Sequence, residues 1–100
     1  MNQAMMMKIR KMQKELEQTQ ARLKDSVFEG TAAGLVTVEL KGTHELLSVK
    51  INQDAWESFE DLDDLETLQD SIVSAYNDAL NKLNKEEEKS LAPFAGLGLF

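Results

Sequence analysis

Residues 2–24 contain neither Gly nor Pro and consist almost entirely of good helix formers, so they predict one long helix. Its apolar residues recur in alternating steps of four and three, at Met5, Ile9, Met12, Leu16 and Leu23, with Thr19 completing the series. This heptad spacing is typical of a helix with one apolar seam. Such a helix would be about 35 Å long, whereas a compact chain of this length has a radius of gyration near 13 Å. The helix must therefore project from the body or meet a second copy.

The length of the chain also favours self-association. One hundred residues allow one domain, which buries only about 60–65% of its unfolded surface, so a monomeric core would be marginal. The absence of Cys excludes a disulfide scaffold, thiolate metal sites and a cysteine nucleophile, and it fits a reducing cytoplasm. No segment has the apolar length of a secretory signal or a membrane-spanning helix. We expect a soluble, cytoplasmic protein with no membrane partner.

The net charge of −7 hides a strong asymmetry. Residues 1–24 sum to +4, and the other 76 residues sum to −11. Because charges act over about one Debye length, the value for each segment matters more than the total. The pattern indicates a basic segment attached to an acidic body.

The middle of the chain predicts three strands. Residues 26–31 are expected to form a short, weak strand, and the Gly-containing residues 30–34 mark its end. The runs 35–40 and 46–51 alternate between apolar and polar residues, and the connection at 41–44 is short enough for a β-hairpin. One face of this hairpin is expected to be apolar, with Val36, Val38 and Leu40 on one strand and Leu47, Val49 and Ile51 on the other.

A second helix is expected from about Leu65 or Thr67 to Glu87. Residues 54–70 hold eight acids and no base, and acids are favoured at a helix N-terminus. Thr67 and Asp70 have the spacing of a capping box. Pro and Gly after Ser90 predict a flexible tail. The sequence thus predicts an α+β fold of order α-β-β-β-α, with one domain at 1–90 and a tail at 91–100.

The residues offer little for catalysis or metal binding. His44, the only imidazole, falls in the hairpin turn, and the glycines form no phosphate-binding loop. The acidic stretch lacks the spacing of a calcium loop. We therefore expect no metal, no cofactor and no enzymatic activity.

The bases of the first helix allow two interpretations. They are either an ordinary solvated surface or a stripe that meets phosphates, with Lys8 and Arg22 beside the seam and Arg10, Lys14 and Lys24 on the outer side. Aromatic residues do not alternate with these bases, and no helix-turn-helix is apparent, so neither base stacking nor base readout is supported. If the stripe binds nucleic acid, it binds the backbone, with strong salt dependence and little sequence preference.

Three segments resemble the YbaB/EbfC family of small bacterial nucleoid-associated proteins. They are MMMKIRKMQKELEQTQARL at 5–23, GTAAGLVTVELKGTHELLSVKIN at 30–52 and LQDSIVSAYNDALNK at 68–82, and the tail PFAGLGLF is similar as well. In the middle segment, Gly34 followed by apolar-x-Val-x-apolar and then Gly42 is similar to the family's Gly-x-Val-x-Val…Gly hairpin. The third matches the stretch A-x-N-D-A with Ala75, Asn77, Asp78 and Ala79.

This resemblance implies a homodimer, sheet-paired or intertwined, with projecting helical arms that bind duplex DNA with low sequence specificity in the nucleoid. Asn77 and Asp78 are assigned to structure. The DNA-binding residues carried over are Lys8, Arg10, Lys11, Lys14, Arg22, Lys24, Lys82, Lys85 and Lys89. The residues expected at a dimer or partner contact are Met5, Ile9, Met12, Leu16, Val36, Val38, Leu47 and Val49.

The alternative is a protein-interaction adaptor. In that case the seam of the first helix and the apolar tail would dock another protein. The acidic residues Glu86, Glu87 and Glu88 beside the C-terminal lysines favour this alternative, because a DNA-contacting surface would carry fewer acids.

Overall fold

The computed structural model describes residues 2–56 and 62–96, and it has the predicted α+β order. The elements are helix α1 (Gln3–Asp25), strands β1 (Val27–Ala32), β2 (Val36–Lys41) and β3 (Leu46–Ile51), a 3-10 helix (Gln53–Trp56), helix α2 (Leu62–Leu91) and a final 3-10 helix (Ala92–Phe94). All strand pairs are antiparallel, and β2 lies between β1 and β3. The five main elements therefore follow the order that the sequence predicts.

Helix α1 starts where the sequence predicts, whereas α2 starts earlier than predicted. Helix α1 begins directly after Asn2, whose side-chain oxygen accepts a hydrogen bond from the Met5 backbone N–H at 2.8 Å. Helix α2 begins at Leu62, before the expected start, so Thr67 lies inside the helix and the capping-box prediction is wrong. Asp63 and Asp64 occupy the first turn instead, where the helix dipole favours negative charge. Residues 57–61 of the acidic stretch lie outside the described residues.

The core lies between α2 and two of the three strands. Helix α2 packs across β1 and β2, and the buried cluster consists of Val36, Val38, Leu40, Ala75, Ala79 and Leu83. Gly30 on β1 makes this packing close, because a Cβ at this position would overlap the Ala75 carbonyl oxygen and the Ala79 backbone nitrogen. Small residues on α2 and Gly30 on the strand thus set the distance between the helix and the sheet.

Strand β3 has no such cover from α2. The register pairs Val38 with Val49 and Val36 with Ile51, yet Val49 is 39% exposed and Ile51 is 42% exposed. The predicted apolar face is therefore buried on β2 and left open on β3, and a register shift at Glu39/Leu40 pairs Leu40 with Leu46, which the strict alternation did not predict. Val36 and Val38, expected at a partner contact, are buried under α2 of the same chain. Leu47 and Val49 remain accessible to a second chain.

The molecule is elongated because α1 extends beyond the body. Its principal extents are 71 × 19 × 16 Å, and the radius of gyration is 19.8 Å, well above the value of about 13 Å for a compact chain of this length. In the seam of α1, Leu16 and Leu23 are buried, Met12 and Thr19 are half-buried, and Met5 and Ile9 are exposed. The helix thus packs on the body through its second half only.

The described part of the tail has a defined path. Helix α2 continues to Leu91, four residues beyond the expected end at Glu87, and the 3-10 helix that follows buries Phe94. Residues 97–100 lie outside the described residues, and flexibility of the tail at 91–100 stays a prediction.

Candidate nucleic-acid interface

The first half of α1, together with Asn2, forms a surface that we call the basic arm, residues 2–14. It contains four bases and no acid, namely Lys8, Arg10, Lys11 and Lys14. Every residue of the arm is exposed except Met12, which is half-buried. The first turn of α1 also contains no acid, so its free N–H groups and the helix dipole add positive potential at the tip. The arm is therefore a solvent-exposed rod whose charged side chains are all basic.

The four arm bases are largely free to meet an external anion. Within residues 2–56 and 62–96, Lys8, Arg10 and Lys14 form no salt bridge. Lys11 lies 4.0 Å from Glu15 one turn later, with 77% of its side chain exposed. An exposed pair of this kind contributes little to stability and is readily exchanged for another anion. Phosphate contacts at these positions would break no buried interaction.

The two bases in the second half of α1 have different surroundings. Arg22 lies 3.7 Å from the Glu86 carboxylate and donates a hydrogen bond to the Ser90 hydroxyl at 3.0 Å. Ser90 in turn donates to Glu86 at 2.9 Å. Arg22 thus joins α1 to the end of α2. Lys24 is exposed in the last turn of α1 and lines an open groove with His44 and Glu87.

On α2, Lys82 is engaged with the edge of the sheet. Its ammonium donates to the Glu29 carbonyl oxygen at 2.8 Å and lies 3.5 Å from Asp78. Asp78 accepts the Thr31 backbone N–H at 3.0 Å. That hydrogen bond, together with nearby Lys82 and opposed by desolvation, holds the pKa of the Asp78 carboxyl below its ordinary value. The two side chains bind backbone groups of β1, which supports the structural role expected for Asp78.

Lys85 and Lys89 lie further along α2 and are exposed. Three consecutive acids, Glu86, Glu87 and Glu88, separate them. The nine predicted DNA-binding residues are therefore not one surface. Four lie on the basic arm, and five lie near the junction of α1 with the body or on α2, where acids surround them.

At this junction, Ser90 had no functional prediction from the sequence, and Phe94 was predicted only as part of the apolar tail. Ser90 bonds Arg22 and Glu86, and Phe94 packs near them. The signal that could have revealed Phe94 is Pro93, because a proline shortly after a helix forces a turn that can return the next aromatic residue to the fold.

The described residues show no other obvious site. Within 2–56 and 62–96, no group of three His, Asp or Glu side chains is arranged to hold a metal ion. His44 has a positive φ of 74° in the β2–β3 turn and is exposed. Neither α1 nor α2 combines the length and the apolar composition that a bilayer-crossing helix requires.

The geometry defines a class of protein: a small α+β domain with an acidic body and a projecting, cationic helix. The model of the YbaB/EbfC DNA-binding family matches residues 1–98. A nucleoid-associated protein of Roseiflexus castenholzii is 42% identical over 87 residues, which cover 87% of this chain and 83% of the relative. One of Streptococcus thermophilus is 39% identical over 95 residues, covering 94% and 92%.

A solved structure shares the fold. The crystal structure of an uncharacterized protein of Helicobacter pylori superposes with a TM-score of 0.68 at 22% identity, covering 96% of this chain and 99% of that one. The chain belongs to the YbaB/EbfC DNA-binding family. This is not an enzyme family, and the resemblance that the sequence indicated is confirmed.

Proposed function

We propose that this chain is a nucleoid-associated protein that binds duplex DNA as a homodimer, through phosphate contacts of the basic arm and with little sequence preference. The observation that carries the proposal is the segregation of charge in space. The arm holds four bases and no acid, and it extends away from a body in which acids outnumber bases. A phosphate backbone can therefore approach the arm without approaching the acidic surface closely.

Low specificity follows from the kinds of side chain on the arm. Lys and Arg on a single exposed helix neutralise phosphates, which are the same at every base pair. The arm carries no aromatic residue for stacking. The spacing of the arm charges relative to the phosphates thus determines binding to duplex DNA. Such binding implies a location in the nucleoid.

The homodimer is supported by the open face of β3. Leu46, Leu47, Val49 and Ile51 are between 39% and 49% exposed on one six-residue strand. Such a contiguous apolar face is unusual on a small soluble monomer and favours a covering partner. A second copy would supply a second arm and double the number of cationic contacts.

The test is equilibrium binding to a random-sequence duplex across a salt series, with the mass in solution measured in parallel. We expect a dimer whose log affinity falls linearly with log salt. The double variant Lys8→Gln with Lys14→Gln removes four charges per dimer, so the slope should fall by about 3 to 4 if all four meet phosphates.

The matched control is the double variant Lys85→Gln with Lys89→Gln, which removes the same number of charges from the acidic part of α2. It should change the slope less than the arm variant does. Equal slopes for the arm variant and the wild-type chain would overturn the assignment of the arm. A dimer that binds no DNA at low salt would overturn the proposal and favour the adaptor alternative, which the relatives do not support.

A further inference from the structure

The segment that follows α2 lies near the middle of α1. Pro93 cannot continue an α-helix, and the chain forms a 3-10 helix at Ala92–Phe94, closed by a hydrogen bond from the Ala95 N–H to the Ala92 carbonyl at 3.1 Å. Phe94 is only 6% exposed although it lies outside the core cluster between α2 and the sheet. Its burial therefore has to come from other neighbours.

The end of α2 is one such neighbour, and the middle of α1 lies close by across a groove. Phe94 and Pro93 line an open groove together with residues from two turns of α1 and from the end of α2, namely Glu15, Gln18, Thr19, Arg22 and Ser90. Residues 15–19 adjoin the basic arm, which ends at Lys14. The groove thus reaches the level where α1 leaves the body.

Two levels of α1 therefore adjoin the rest of the chain. At the lower level, Arg22 binds Glu86 and Ser90, and Gly42 lets the β2–β3 turn approach Leu23 so closely that a Cβ would overlap the Leu23 carbonyl oxygen. At the upper level, Phe94 and residues 15–19 line the same groove. Residues 15 and 22 are about 10 Å apart along the helix axis. A helix fixed at one level can pivot, whereas contacts at two levels fix its direction.

We propose that Phe94 is a positioning residue that fixes the direction in which the basic arm leaves the body. The ring carries no charge and need not touch DNA. It reduces the number of orientations that the arm samples before binding, so fewer are lost when DNA binds. Only the DNA readout of this proposal rests on the proposed function, because the direction of the arm can be measured in the protein alone.

The experiment measures the distribution of distances between two spin labels by pulsed electron paramagnetic resonance. The chain has no Cys, so Gln3→Cys on the arm and Thr43→Cys in the β2–β3 turn, both at exposed positions, would be the only labelling sites. Labelled chains are diluted with unlabelled chains so that each dimer carries one labelled copy. Four full-length backgrounds are compared: wild type, Phe94→Ala, Phe94→Leu as the conservative variant, and Leu83→Val as the control.

We expect Phe94→Ala to broaden the distance distribution and Phe94→Leu to restore most of the wild-type width. Leu83→Val weakens the core under α2 and should lower the melting temperature without broadening the distribution. Unchanged width in Phe94→Ala, or equal broadening in Leu83→Val, would overturn the proposal. If Phe94→Ala does not fold, Phe94→Val supports the same comparison with the same outcomes.

DNA binding provides the second readout. Phe94→Ala removes no charge, so the salt slope should be unchanged while affinity at any one salt concentration falls by about three- to tenfold, as expected for ordering one mobile element. A smaller slope would indicate lost phosphate contacts and would contradict the positioning role. Broadening in a protein whose wild-type form binds no DNA would leave the positioning of α1 intact and refute only the proposed function.

Discussion

Replacing Gly30 with alanine is expected to force β1 away from α2. The new methyl group would overlap the Ala75 carbonyl oxygen and the Ala79 backbone nitrogen, and it would lie 2.8 Å from the Ala79 Cβ. Two of these neighbours are backbone atoms of a helix in mid-length, so no side-chain rotation can relieve the contact. The strand and the helix must separate by about 1 Å, in an interior that is packed as closely as a crystal.

The cost of that separation follows from what it uncovers. Ala75, Ala79, Val36 and Val38 are all at most 1% exposed and lie at this interface. Overpacking a tight core costs about 1–3 kcal/mol, and we expect the upper end because backbone is involved. For a domain of this size, about 3 kcal/mol lowers the melting temperature by roughly 12–24 °C.

Thermal unfolding followed by circular dichroism measures this effect, at one fixed protein concentration because the melting temperature of any self-associating protein depends on concentration. Gly34→Ala is the matched control. Gly34 has φ of +70° but nothing within 4 Å of a built Cβ, so it should cost only about 1 kcal/mol of backbone strain. If Gly30→Ala lowers the melting temperature no more than Gly34→Ala does, the close approach of β1 to α2 is refuted.

Three further predictions concern other parts of the molecule. Because the folded state lowers the pKa of Asp78, its carboxylate stabilises the fold above the ordinary pKa of 3.8, and this contribution disappears as pH falls through the lowered folded value. Asp78→Asn should therefore be less stable than wild type in urea near neutral pH, with the difference shrinking in acid. Val49→Lys on the open face of β3 should reduce the mass in solution from dimer to monomer, whereas Thr43→Lys in the turn should not. Asn2→Ala removes the N-cap of α1 and should cost that helix about 0.5–2 kcal/mol, measured as faster amide exchange in the arm.

Each of these has a result that would count against it. A constant stability difference between Asp78→Asn and wild type at all pH values would mean that the carboxylate charge is irrelevant. A dimeric Val49→Lys would exclude the β3 face as the interface. Unchanged exchange in Asn2→Ala would mean that the cap contributes nothing to the order of the arm.

The sequence determines the elements and their order because their signals are local. The uninterrupted helix formers at 2–24 define α1 to within a residue at each end, and Gly42 with the alternating runs on either side defines the hairpin. The length of the predicted helix also indicates correctly that part of α1 lies beyond the body. The start of α2 is different, since Thr67 and Asp70 resemble a cap but lie within the helix, while Asp63 and Asp64 occupy its first turn.

Only the tertiary structure determines which basic side chains are available to bind an external anion. The sequence treats Lys8, Arg22 and Lys82 as equivalent cations. In the folded chain, Lys82 binds the edge of β1 and Arg22 binds the end of α2, while Lys8 forms no salt bridge with any described residue. The groups that Lys82 and Arg22 bind on other elements are between 53 and 68 residues away in sequence, so no local pattern could reveal these contacts.

Composition and spacing thus set the charge of the basic arm, the helical conformation of α1 and its apolar seam. These are properties of residues 2–24 by themselves. The position of α2 across the sheet determines three other features. They are the burial of β2 but not of β3, the close approach of β1 to α2 at Gly30, and the burial of Phe94. Those features arise from contacts between segments distant in sequence, and packing rather than local preference chooses among such contacts.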